Sequence, residues 1–319
     1  MNQLQEASRI ALRECLKLRK GENVLIVTDP LRMDIADALF SASLELGGKP
    51  LLIQMPVGQR DGEEPPEPVA EMMRKADVVM APTTKSVTHT AARRNACKAG
   101  ARIATLPGIT RTIMSRGMRA DYRSISRLSQ KLASLLTDAS HVRVTTPAGT
   151  DIEMSIKGRK GLADTGLIHT PGEYCNLPAG EAYLSPLEGT ACGTVVIDGS
   201  MAGIGKLSKG ETITFRVDSG SVRSVSGGEK AKQLLKLMNS VGEKGRNIAE
   251  LGIGTNDKAR VSGVVLEDEK VLGTVHIAVG NNLSMGGSVD VPLHLDGILM
   301  NPTVEVDGRV ILKDKKIRI

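Results

Sequence analysis

The sequence predicts an α/β protein in two parts. An N-terminal open parallel α/β sheet domain over residues 1–139 is followed by a mainly antiparallel, β-rich α+β domain over residues 140–319. Three observations carry this. Through residue 139, short apolar runs alternate with segments of helical spacing. Near His141 the pattern changes to short strands separated by turns, with one clear helix among them. A length of 319 residues suits about two domains at roughly 100–200 residues each.

The run Asn23–Thr28 reads NVLIVT, a short apolar strand stopped by Asp29-Pro30. Helical spacing from Ile35 to Leu46 ends at Gly47-Gly48, the residue type that adopts a left-handed C-cap without strain. Lys49–Met55 is the second strand, Val69–Lys75 a short helix and Asp77–Ala81 the third strand. Thr88–Ala99 is a helix closed by Gly100, and Arg102–Leu106 the fourth strand. Strands apolar on both faces and separated by helices indicate a parallel sheet covered on both sides. A long helix follows from about Arg119 to Thr137. Beyond it, His141–Thr146 and Asp151–Lys157 flank Pro147-Ala148-Gly149-Thr150 as a β-hairpin. Gly193–Asp198, Thr212–Asp218, Gly273–Val279 and Arg309–Leu312 are further strands, and Glu229–Val241 is the helix between them.

Composition narrows the partners. Lys+Arg 42 against Asp+Glu 36 gives a net charge of +6, spread along the chain without the dense basic block of a duplex footprint. With Tyr 3, Phe 2 and Trp 0 there are almost no rings on which single-stranded bases could stack. The core must therefore be aliphatic, with 13 methionines filling gaps that rings usually fill. No apolar run of about 18 residues is present to span a membrane. The helically spaced start, Met1 to Lys20, is interrupted by charge, unlike a secretory leader. Cys15, Cys97, Cys175 and Cys192 form no CxxC pattern and read as small, reduced core residues. The expectation is a cytoplasmic protein with a small-peptide or small-molecule substrate, and neither a nucleic-acid nor a membrane partner.

Nucleotide motifs fail. The first strand is followed by Asp-Pro-Leu-Arg rather than GxGxxG, so a pyrophosphate has no glycines through which to approach the backbone. Gly199–Leu207 lacks the first glycine and the hydroxyl of a P-loop. Neither a GxSxG elbow nor an HExxH helix occurs.

Metal-ligating residues are the stronger signal. Of five histidines, His276 lies in the apolar strand-like stretch TVHIAVG, and His294 precedes Asp296 in PLHLDGIL. Residues two apart on a strand share a face, so His294 and Asp296 could offer an imidazole nitrogen and a carboxylate to one cation. A buried histidine hydrogen-bonded to a neighbouring aspartate would give the same pattern. Glu181 in NLPAGEAY and Glu250 in AELGIGTN sit in apolar, glycine-rich surroundings, where a glutamate must be paired, protonated or metal-bound. His89, opening the helix after the third strand, is either a cleft residue or a bystander to N-capping by Thr88. His141 and His169 read as structural.

The stretches NLPAGEAY, AELGIGTN, HIAVGNN and PLHLDG, together with SVTHTAAR and GARIATLPGIT, occur in the order of one known family. On them the chain resembles the M29 aminopeptidases, thermophilic metallopeptidases, along nearly its whole length. The resemblance implies metal ligation by Glu181, Glu250, His276, His294 and Asp296. It implies a homodimer and two divalent ions per chain (Zn, Co or Mn), about 3.5–4 Å apart around a shared water. The activity it implies is that of a metallo-aminopeptidase, a hydrolase of peptide N-termini or of related small amides.

One departure bears on the reaction. The family peptidases carry a tyrosine soon after the first histidine, and here that stretch reads Gly280-Asn281-Asn282-Leu283-Ser284. Tyr183 or Tyr174 would have to stand in for it. The same superfamily includes a mononuclear Fe(II) dioxygenase that opens a dihydroxypyridine ring, and its iron site resembles the subset His276, His294 and Asp296. Such an oxygenase is the alternative function, and a non-catalytic metal-binding homologue a third.

Overall fold

In a computed structural model, residues 2–319 are described. They fall into two compact units: residues up to Ser126 together with Asp164–Ala179, and Arg127–Ala163 together with Gly180–Ile319. The division falls inside the helix Tyr122–Asp138. A segment from the β-rich part of the sequence thus belongs to the first unit. Among the described residues no helix is long and apolar enough to cross a membrane.

The first unit holds a five-stranded parallel sheet in the order Lys49–Gln54, Asn23–Thr28, Val78–Thr83, Arg102–Pro107, Tyr174–Asn176. Its three central strands are buried almost throughout, as strands covered on both faces must be. Leu25, Val27, Val79, Ala81 and Ile103 pack with Val69 and Met73 of the helix Glu67–Lys75 and with Ala92 and Ala96 of the helix Ala91–Lys98. That last helix starts later than its spacing suggests. Thr90, not Thr88, is its N-cap, accepting from the Arg93 N–H, and Thr88 instead hydrogen-bonds Thr105. The expected Arg119–Thr137 helix is preceded by a separate one, Arg111–Gly117, capped by Thr110.

The second unit contains two antiparallel sheets. An eight-stranded one includes the expected hairpin, His141–Thr145 with Asp151–Ser155, turning through Gly149 at φ 107°. The seven-stranded sheet runs through His294–Leu299, Val275–Gly280, Ile248–Gly254 and Glu181–Leu184 as successive neighbours. One core joins them: Leu184, Leu251, Ile253, Ile277, Val279 and Leu299 from the second sheet pack with residues such as Val144, Ile152, Val195 and Phe215 from the first. Phe215 is the one large ring in this core, which is otherwise aliphatic. The four cysteines are free, but of them Cys15 alone is buried; Cys97 and Cys175 are half-buried and Cys192 is exposed, so these three are not the core residues expected.

Candidate metal centre

Strand register builds the site. Glu250 pairs with Ala278, which pairs with Asp296; Gly252 pairs with His276; Gly280 pairs with His294; and Glu181 pairs with Gly254. Directly opposed residues of antiparallel strands point to the same face, as do residues two apart. Glu181, Glu250, His276, His294 and Asp296 therefore all project from one face of the seven-stranded sheet. The alternate residues project into the core. All five residues singled out in the sequence converge, in two groups sharing Glu250: Glu181/Glu250/His276 and Glu250/His294/Asp296, each with ligand atoms within 4.8 Å of one another.

The distances describe an ion cluster. His276 Nε2 lies 3.2 Å from Glu250 Oε1 and 3.4 Å from Glu181 Oε2. His294 Nε2 lies 3.1 Å from Glu250 Oε2 and 3.4 Å from Asp296 Oδ1. The Nδ1–H of His294 donates to the Asn281 carbonyl at 2.7 Å, which fixes the ring and leaves Nε2 facing the carboxylates. The Nδ1 of His276 is buried without a hydrogen-bond partner among the described residues. Close approach of that ring depends on Gly252: a Cβ there would overlap the imidazole.

Charge dominates the titration of these groups. Burial alone would lower the His276 imidazole. The hydrogen bond to Glu250 and the charges of Glu181, Glu250 and Asp296 outweigh it and push His276 up to about 9. His294 is likewise raised against burial by Asp296 and Glu250. Burial would raise Glu250, yet the two imidazoles hold it well below the usual carboxylate range. Carboxylates and imidazoles concentrated in a buried space need protons or a metal to balance them. The neighbouring carboxylates favour the protonated imidazoles; a divalent cation would displace those protons and use the same nitrogens. The donor set and the cradle at Gly252 fit a bound divalent metal.

Two residues that the sequence did not single out belong here. Lys270 is 1% exposed, with Nζ 2.6 Å from Glu181 Oε1 and 2.8 Å from Glu269 Oε1. Burial pushes Glu269 up to about 8 despite Lys270. Gly252 is the other. Beside them, Tyr183 lies opposite Gly252 in the same row as His276, and Asn282 joins Ser185, Glu188 and Val289. Tyr174 belongs to the first unit, where Arg93 stacks on its ring, and His89 is exposed there.

Comparison with known proteins decides the family. The model of the NicX family, described as 2,5-dihydroxypyridine 5,6-dioxygenase, matches residues 3–318. The chain belongs to the NicX family. A curated relative, the 2,5-dihydroxypyridine 5,6-dioxygenase of Pseudomonas putida KT2440, is 25% identical over 190 residues, covering 56% of this chain and 54% of the relative. The match thus spans about half the length of each. The solved structure of a 2,5-dihydroxypyridine dioxygenase from Pseudomonas putida KT2440 superposes with a TM-score of 0.83 at 18% identity, over 99% of this chain and 96% of that one. Wild-type AmpT from Thermus thermophilus superposes with a TM-score of 0.73 at 16% identity, over 99% of both chains.

The fold is therefore shared with an aminopeptidase-like neighbour, as the resemblance implied, but the family is not. The expectation of a hydrolase, an M29 metallo-aminopeptidase, is overturned by the family match over 3–318. Similar folds carry different reactions. The cluster of ligand-type residues is present, the NicX match implies Fe(II), and nothing supports a two-metal Zn, Co or Mn centre.

Proposed function

We propose that this chain is a ring-cleaving dioxygenase that holds one Fe²⁺ on His276, His294 and Asp296 and opens a 2,5-dihydroxypyridine-type ring. The observation that carries the reading is that these three residues project from one sheet face, His276 and Asp296 buried and His294 partly exposed at the strand start, in a chain of the NicX family. Two imidazoles and one carboxylate suit Fe²⁺ and leave coordination positions open. Bound there, iron supplies the one-electron chemistry that O₂ needs to react with an aromatic ring.

The chain's own residues prepare that centre. The Asn281 carbonyl aims His294 Nε2 inward, and Gly252 makes room for His276. Glu250 lies within hydrogen-bonding distance of both rings and holds them toward a common point. The apolar core behind the sheet keeps these strands in register. In assembly, the reading favours a homodimer, to be checked by solution mass at micromolar concentration.

The test is anaerobic reconstitution with one equivalent of Fe²⁺, followed by 2,5-dihydroxypyridine and air-saturated buffer. A dioxygenase consumes one O₂ per substrate as the substrate's ring absorbance disappears. Iron bound at full occupancy with no oxygen uptake would rule the reading out.

A further inference from the structure

We propose that Lys270 is a built-in cation whose ammonium occupies the Glu181 side of the cluster and holds the centre to a single metal ion. This deepens the single-iron reading above and rests on it. The five ligand-type residues form two groups, and on donor atoms alone each could take a cation. Only one of the groups is already served by a fixed positive charge.

That charge is locked in place. Lys270 Nζ contacts Glu181 at 2.6 Å and Glu269 at 2.8 Å, and the side chain is as good as excluded from water. Its backbone is tied on both sides: the Lys270 N–H donates to the Glu267 carbonyl, and its own carbonyl accepts from the Asn256 N–H at 2.8 Å. With the backbone fixed, swinging the stem away would break both the Glu181 and the Glu269 contacts. Both groups share Glu250, but only Glu181 carries the ammonium. A divalent ion between Glu181, Glu250 and His276 would sit within a few ångströms of Nζ, in a buried region where like charges repel strongly. The single ion on His276, His294 and Asp296 is drawn instead to the Glu250 side, where, among the described residues, the ion pairs of His294 and Asp296 are with each other and with Glu250 and not with a lysine or arginine.

A second divalent ion would add two positive charges beside an ammonium that Glu181 and Glu269 already hold in place. Glu181 is then the counter-ion of Lys270 rather than a metal ligand, so the same carboxylate that suggests a second metal in the sequence is used up by a side chain.

The experiment uses the full chain with Mn²⁺ as probe, which is stable in air and gives distinct spin-resonance spectra for isolated and coupled ions. Wild type is expected to bind one Mn²⁺ with an isolated six-line spectrum. Lys270→Met, of similar length and uncharged, is expected to bind a second Mn²⁺ at least tenfold more tightly than any weak second binding by wild type, with a coupled spectrum. Lys270→Arg should stay at one ion. A Lys270→Met variant that folds and still takes one ion overturns the inference, as does a wild type that takes two. Glu181→Gln provides an arm that does not require removing the lysine: it should keep one ion within about threefold of wild-type affinity, and loss of that ion overturns the inference. Wild type that binds no Mn²⁺ and no Fe²⁺ removes the single-iron reading and this inference with it. One bound ion in both wild type and folded Lys270→Met leaves that reading intact and removes only the role of Lys270.

Discussion

Gly252 lies directly across the sheet from His276, and the imidazole occupies the space where any side chain at position 252 would begin. The strand continues apolar and buried on either side, so the glycine is there for the neighbour's ring and not for a turn. Gly252→Ala should displace the ring, cost about 1–3 kcal/mol by overpacking, and weaken metal binding at least tenfold. Thermal melting and Mn²⁺ titration of the variant check this. A variant with unchanged affinity would mean that His276 reaches the centre by another path.

Removing a ligand should act on the metal and not on the fold. His294 is at a strand start and partly exposed, and Asp296 projects from the sheet face opposite the core. His294→Ala and Asp296→Ala are expected to lower metal affinity by at least about a hundredfold, since even residues supporting a ligand are worth 10–100-fold. Far-ultraviolet dichroism should stay as in wild type. Metal at wild-type stoichiometry in both variants would remove these residues from the site.

Much of this was legible in the sequence because the relevant signals are local. Asn23–Thr28 is a strand at the expected bounds, since an apolar run ending in Asp-Pro has few other readings. The five ligand-type residues stood out as polar groups in apolar strands, and the sheet brings them together. Lys270 was hidden by its neighbours. Leu266–Lys270 reads LEDEK, which looks like a solvated surface run, yet Glu267, Asp268 and Lys270 are all buried. Each has a partner outside the run: Glu267 accepts from the Arg260 N–H, Asp268 from Ser262, Gly263 and the remote Ser200, and Lys270 pairs with the remote Glu181. No periodicity records such pairings. Tyr174–Asn176 was missed as the sheet's fifth strand for a related reason, being short and joined in parallel to Arg102–Pro107 from far along the chain.

Glu188 should make stability depend on acid pH. Its carboxylate accepts from the Ser288 N–H and from Asn282, and pairs with Arg159. Burial would raise it, but these donors win and hold it at about 2, below the ordinary 4.5. A carboxyl whose folded value is depressed stabilises the protein above its unfolded value and loses that contribution as pH falls toward its folded one. Glu188 thus contributes fully above about pH 4.5 and progressively less down to about pH 2. Glu188→Gln should cost roughly 2–3 kcal/mol at neutral pH, and the difference from wild type should shrink steadily between those limits. Urea melts of both proteins across that range measure it; a difference that does not change with pH would show that packing, not charge, is what Glu188 supplies.

Arg102 should be the first unit's most sensitive single polar residue. It begins a central strand, yet its guanidinium is 3% exposed and points to the end of the N-terminal helical segment. Nη1 donates to the Leu16 carbonyl at 2.5 Å and to the Lys17 carbonyl at 3.1 Å, and Nη2 to Glu22 at 2.6 Å. A helix end leaves carbonyls without partners, and here the chain leaves through Lys17 at φ 49°, where no glycine eases the turn. One guanidinium therefore meets two orphaned carbonyls and a carboxylate together. Arg102→Met should destabilise by about 3–5 kcal/mol, because it strands all three acceptors in a buried place. Arg102→Lys should recover only part of that, since an ammonium lacks the planar fork that reaches both helix end and Glu22. Arg102→Met combined with Glu22→Gln should be more stable than Arg102→Met alone, the unpaired charge having been removed. Denaturant melts, with hydrogen exchange of the Asn23–Thr28 amides as the local probe, separate these outcomes. A cost below about 1 kcal/mol for Arg102→Met would mean that water takes over the role of the guanidinium, and that the helix end is less enclosed than its geometry implies.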